Sequence, residues 1–175
     1  EMGDLVEMAD GKLQIVIKTY LRKYDVLTLK RILRAKRTSE ENIQDYLTPI
    51  AALSQEEVQE MNDKTFEEIK DSISFDDSYV DYQERVEGTE TLAEIETALD
   101  QAYYDDIMML AEKARNQQLK DFIKEEVEYE NLKMALRLKK YDLENQQIRE
   151  KLLKVENGRK VEEALERNFV DALDY

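Results

Sequence analysis

The sequence predicts an all-α protein of tandem related helical bundles with long antiparallel helices, and three observations predict it. Only four glycines and one proline occur among 175 residues while 38% of residues are charged, a balance that suits long helices with solvated faces and leaves few turn residues for a sheet. Apolar residues recur at three- and four-residue steps along most of the chain, the spacing that lines one helix face. One stretch is also written twice, as DVLTLKRILRAK from Asp25 to Lys36 and EYENLKMALRLK from Glu128 to Lys139, an offset of 103 residues. Carried over 44 positions without a gap, the offset gives 11 identities against about three expected by chance, so the chain reads as a duplicated helical unit.

The first helix is predicted from Leu5 to Arg37, with Leu13, Val16, Ile17, Tyr20, Leu21, Leu29, Ile32 and Leu33 on its apolar face and a break at Gly11. Thr38, Ser39, Glu40 and Glu41 offer an N-cap and first-turn acids for a short helix toward Leu47, which Pro49 ends. Ser54 and Glu57 form a capping box for one helix carrying Val58, Met61, Phe66, Ile69 and Ile73. Residues 72–88, acidic around Phe75, Tyr79 and Tyr82, read as a linker or irregular helix. Thr91 and Glu94 form a second capping box, and the helix after it keeps its three- and four-residue steps except for a stretched step from Ala102 to Ile107. A turn at Asn116 to Gln118 leads into a helix from Leu119 to about Lys140, so the two long helices should form an antiparallel hairpin. Asp142 is expected to cap a helix through Ile148 to Val155. Asn157 and Gly158 end it, and Val161 to Tyr175 should repeat the Val58 helix. The Gly88-Thr89 punctuation sets the expected domains: residues 1–88 as part of a first unit with its connection, and residues 89–175 as a second unit truncated at its C-terminus. A chain that opens on Glu1 and stops in mid-pattern reads as a fragment.

Charge and residue types narrow the function classes. A net charge of −15 repels a phosphate backbone, and no Lys/Arg patch longer than a turn or two is expected to interrupt it, so nucleic acid is not an expected partner. No apolar run approaches the roughly 20 residues that span a bilayer. Without histidine or cysteine the carboxylates at Glu125, Glu126, Glu128 and Glu130 lack the second ligand type of a bundle metal site and read as a solvated face. No serine has a histidine base and no glycine-rich phosphate loop occurs, so no catalytic, cofactor or metal residues and no small-molecule substrate are expected.

The candidate residues are therefore those of the repeated motif, as a partner-docking or structural element. Lys30, Arg34 and Lys36, with Lys133, Arg137 and Lys139 one period later, form a basic strip. It either pairs within the chain, with acids such as Asp25 and Glu128 or with helix carbonyl ends, or docks an acidic partner. Asn131, on the apolar face where the first copy has Thr28, is read as a buried amide that sets helix register.

The two motif copies, with the segment EIETALDQAYYDDIMMLAEKARNQQLKDFIKEEVEYENLKMAL from Glu94 to Leu136, resemble the C subunit of archaeal A-type and bacterial V-type ATP synthases, counterpart of the vacuolar ATPase d subunit. The resemblance covers nearly all of this chain and about half of a full member. It implies a non-catalytic, funnel-like spacer on the cytoplasmic face of the membrane, peripheral to it, which links the central stalk to the proteolipid rotor ring for proton or sodium-ion transport. Its short helices should lead into a Pro-Gly-like turn; here only Pro49 remains, and the second copy has Leu152-Leu153. The competing reading is a helical-repeat adaptor that binds other proteins.

Overall fold

The computed structural model describes residues 11–38, 53–154 and 159–166, and the chain folds as two compact units, residues 1–114 and 115–175. Eight helices and no strand occur among the described residues. The expected helix before Gly11, the short helix ended by Pro49, the Asn157-Gly158 stop and the chain beyond Glu166 lie outside them.

In the first unit, α1 (Lys12–Thr38) follows Gly11, whose φ of +58° is a conformation that glycine adopts without cost. Thr38 belongs to its last turn, where the hydroxyl donates to the Arg34 carbonyl at 3.1 Å. The buried face of α1 begins at Thr19; Leu13, expected on it, is 60% exposed. The Ser54 box starts α2 (Gln55–Asp63), with Ser54 N–H donating to Glu57 Oε2 at 2.7 Å and Glu57 N–H to Ser54 Oγ at 3.1 Å. The single helix expected through Ile73 is in fact two. Thr65 and Glu68 form another capping box and start α3 (Phe66–Lys70), because a threonine in extended backbone whose side chain takes the Glu68 N–H competes with helix continuation.

Residues 72–88 contain turns and one short helix, α4 (Tyr82–Val86), which Asp81 caps through the Glu84 N–H at 3.1 Å. Thr91 and Glu94 cap α5 (Leu92–Lys113). Helix α5 packs on α1 and α4, and α3 packs on α1. Lys30 meets Asp100 and Arg34 meets Glu96, so as one index rises by four the other falls by four and the two long helices run antiparallel. Val26, Leu29, Ile32 and Leu33 of α1 and Ile95, Leu99, Ala102 and Ile107 of α5 are all at most 2% exposed, with Ile69, Ile73, Tyr82 and Val86 completing this core. The compact unit therefore runs past Gly88 to Ala114, since α5 is packed into it.

The second unit holds α6 (Gln117–Lys139), α7 (Asn145–Lys151) and α8 (Arg159–Glu166). Asn116 caps α6 through the Leu119 N–H at 3.0 Å. Asp142 does not cap the next helix: it takes a left-handed φ of 57° and its N–H closes the end of α6 on the Lys139 carbonyl at 2.9 Å. An N-cap needs extended backbone, and Glu144 supplies it, its N–H donating to Gln147 Oε1 at 3.1 Å; α7 then ends at Lys151, short of Val155. Ala135, Ile148, Val161 and Leu165 form the core of this unit, flanked by Leu132, Leu138, Leu143 and Leu152.

Candidate functional site

The two motif copies lie on α1 and α6, and each helix uses its motif to hold a returning segment. Lys36 Nζ donates to the Asn62 carbonyl at 2.5 Å, near the C-terminus of α2. One period later Lys139 Nζ donates to the Leu165 carbonyl at 2.6 Å and the Ala164 carbonyl at 3.1 Å, both in α8. Asn62 and Leu165 are also 103 residues apart, so the duplicated lysines make the same bond in both copies. At the C-terminal turn of α2 the ammonium meets the negative end of the helix dipole. Val58 and Val161, likewise one period apart, are both buried.

Asp25 is fully buried, and its Oδ1 accepts a long 3.4 Å bond from the Leu53 N–H. Its counterpart Glu128 acts at the other end of a return helix, where Oε1 accepts the Lys160 N–H at 2.8 Å and Oε2 meets Lys160 Nζ at 3.2 Å. Asn131 is 3% exposed; its Nδ2 donates to the Leu153 carbonyl and its Oδ1 accepts the Leu153 N–H, both at 2.8 Å. That pairing satisfies the backbone where Leu152 leaves α7 in extended geometry, at the Leu152-Leu153 step.

The remaining basic residues differ between copies. Lys30 Nζ donates to both Asp100 oxygens at 2.7 and 2.6 Å, and Arg34 engages Glu96 through Nε and through Nη2 at 2.6 Å. The hydrogen bond and charge of Glu96 raise the Arg34 pKa against a smaller opposing effect of burial. Among the described residues Lys133 meets its near neighbours, donating to Glu130 at 2.7 Å and lying 5.0 Å from the centre of the Tyr129 ring. Arg137 is exposed, with no ion pair among the described residues.

Sequence reasoning missed a buried ion pair. Arg22 and Asp106, 3% and 0% exposed, form an ion pair between α1 and α5. Arg22 Nη2 also donates to the Asp76 carbonyl at 3.0 Å and Asp106 Oδ1 accepts the Tyr79 N–H at 2.7 Å, which binds the 72–81 segment to both helices. Phe75 packs edge-on to Tyr82 with ring centres 4.8 Å apart and lies 5.4 Å from the Arg22 guanidinium. The buried Tyr82 hydroxyl sits beside that guanidinium, outside hydrogen-bonding geometry; burial, then the Asp106 charge, pushes its pKa up. The signal was present as the stretched step on α5, because Asp106 occupies the position four residues from both Ala102 and Leu110. Helix α1 also departs from the expected limit on basic patches, with nine Lys/Arg and the single acid Asp25 over its length. Acids of α5 neutralise three of those bases.

These contacts describe helices fastened by side chains, with no group of three or more acids placed to hold a metal ion among the described residues. No described helix is long and apolar enough to cross a membrane. A family model described as ATP synthase (C/AC39) subunit matches residues 1–175. The chain belongs to that family. It is 32% identical to the A-type ATP synthase C subunit of Methanococcoides burtonii over 155 residues, 85% of this chain and 43% of the relative. The corresponding C subunit of Methanosarcina acetivorans is 34% identical over 80% of this chain and 40% of its own length, and that of Archaeoglobus fulgidus 30% over 83% and 43%. The chain thus spans about two fifths of the length of the curated relatives it matches.

Proposed function

We propose that this chain forms part of a non-catalytic coupling subunit of a rotary ATPase or ATP synthase, a spacer that links the central stalk to the membrane rotor ring. The match of the whole chain to the ATP synthase (C/AC39) subunit family carries this reading. The packing supports it. A torque-bearing spacer has to resist deformation, and close-packed helices resist compression. Here the helices are further cross-linked by Arg22–Asp106, Lys30–Asp100 and the paired lysine bonds to α2 and α8. On this reading the subunit is peripheral, sits on the cytoplasmic face and holds no nucleotide or ion; the transported ion, proton or sodium, is selected in the rotor ring.

The test is affinity purification of the full-length parent from native membranes, followed by reconstitution without it. Catalytic, stalk and proteolipid subunits should co-purify in fixed ratio, and omission should leave ATP hydrolysis that no longer drives ion transport. Co-purification of unrelated soluble proteins without proteolipid would favour the helical adaptor instead.

A further inference from the structure

The two copies of the motif share one buried side, Thr28 and Ile32 on α1 and Asn131 and Ala135 on α6, and differ in what is buried beside it. On α1 the side that carries Arg22, Val26, Leu29 and Leu33 is buried beneath α5, and Lys30 and Arg34 reach from its edge to Asp100 and Glu96. One period later on α6 the same side carries Glu125, Tyr129, Leu132 and Leu136, edged by Lys133 and Arg137. There Glu125 and Tyr129 are exposed, Tyr129 by 61%, and the two leucines are half-buried. At the opposite side the relation inverts: Ile123 and Val127 of α6 are buried, while their counterparts Tyr20 and Tyr24 on α1 are half-exposed. The first copy therefore shows what the Lys/Arg side of the motif helix accepts when a second long helix covers it.

We propose that the Tyr129, Leu132, Lys133, Leu136 and Arg137 face of α6 is a docking surface for an acid-bearing amphipathic helix that lies antiparallel to α6. Charge complementarity specifies the occupant. The Asp100 and Glu96 carboxylates stand four residues apart on α5, and two acids at that spacing meet Lys133 and Arg137 in the same register. Ten residues beyond Glu96, α5 places Asp106 against Arg22. The α6 counterpart of Arg22 is Glu125, so the charge required of the occupant reverses there. The occupant carries acids at positions n and n+4 and a base at n+10. The exposed Tyr129 and the half-buried Leu136 supply its apolar seat, beside Leu132, which also packs on the core of its own unit.

A fluorescent peptide with the α5 sequence, residues 92–113, is the probe, in the original form and with Asp106→Lys, titrated against the full 175-residue chain by anisotropy. Saturable binding is expected, stronger for Asp106→Lys and weakened by about tenfold in Lys133→Glu/Arg137→Glu chains. Peptide reversed at the two acids, Glu96→Lys/Asp100→Lys, should recover binding to that chain. Far-UV circular dichroism confirms that each variant is folded, and Lys30→Met/Arg34→Met chains report displacement of the resident α5. The proposal is overturned by absence of saturable binding, by indifference to the α6 variants, or by preference for the original peptide. A dimer in sedimentation that Arg137→Glu dissolves would also overturn it, by making a second copy the occupant.

Discussion

Asn131 serves both polar groups of the Leu153 backbone with one side chain. Alanine there strands a buried N–H and a buried C=O, a cost of about 2–4 kcal/mol at ~1–2 kcal/mol per group, so the urea midpoint of the second unit should fall accordingly. Asn131→Asp keeps the acceptor and regains a donor only when its carboxyl is protonated. Burial raises the folded pKa of that carboxyl, so the deficit of Asn131→Asp should shrink as pH falls, whereas that of Asn131→Ala should not. Arg22 and Asp106 make the parallel case in the first unit. Asp106→Ala leaves a guanidinium buried without its carboxylate and should destabilise by about 3–5 kcal/mol, whereas Arg22→Met with Asp106→Leu removes both charges and should recover most of the loss. Thermal unfolding of these variants beside the native chain checks this. A double variant as unstable as Asp106→Ala would show that the pair also holds the Asp76 and Tyr79 backbone in place.

Between elements, the duplicated lysines make a prediction that distinguishes the copies. Lys36→Met should speed amide exchange at the C-terminal turn of α2 and leave α8 unchanged, and Lys139→Met should do the reverse, each through loss of bonds worth about 1.5–3 kcal/mol for a charged donor. Exchange measured by mass spectrometry on peptides from both helices tests it. The α7–α8 pair adds a pH dependence. Arg149 engages Glu162 with bonds of 2.7–3.1 Å, and that hydrogen bond holds the Glu162 pKa below its usual value. A carboxylate whose folded pKa is depressed adds stability above its unfolded pKa and loses it as pH falls through the folded value. Protection in α8 should therefore weaken in acid, below the ordinary glutamate range, and Glu162→Gln should flatten that dependence. The shift rests on exposed groups, so the change is small.

For the whole molecule, the charge is unevenly divided: residues 1–114 carry 27 acids against 13 bases, residues 115–175 only 14 against 13. Self-repulsion therefore acts mainly on the first unit, while its Arg22–Asp106 pair is buried and screened least. Added salt should raise the urea midpoint of the first unit more than that of the second; an opposite order would mean that surface pairs such as Arg34–Glu96 outweigh the repulsion. The all-α fold, the caps at Ser54 and Thr91, the turn at Asn116 and the duplication were legible because each rests on contacts within a few residues or on a repeat written in the sequence itself. The Thr65 break was equally local and passed unread, hidden by apolar steps that run across it. Sequence alone determined that Lys36 and Lys139 are equivalent, and could not say which carbonyls of α2 and α8 they reach. Tertiary structure decided that, together with the burial of Arg22 against Asp106 and of Val26 where its α6 counterpart Tyr129 is exposed, because those choices depend on which helix arrives at a face, and helical periodicity records that a face is apolar without recording what covers it.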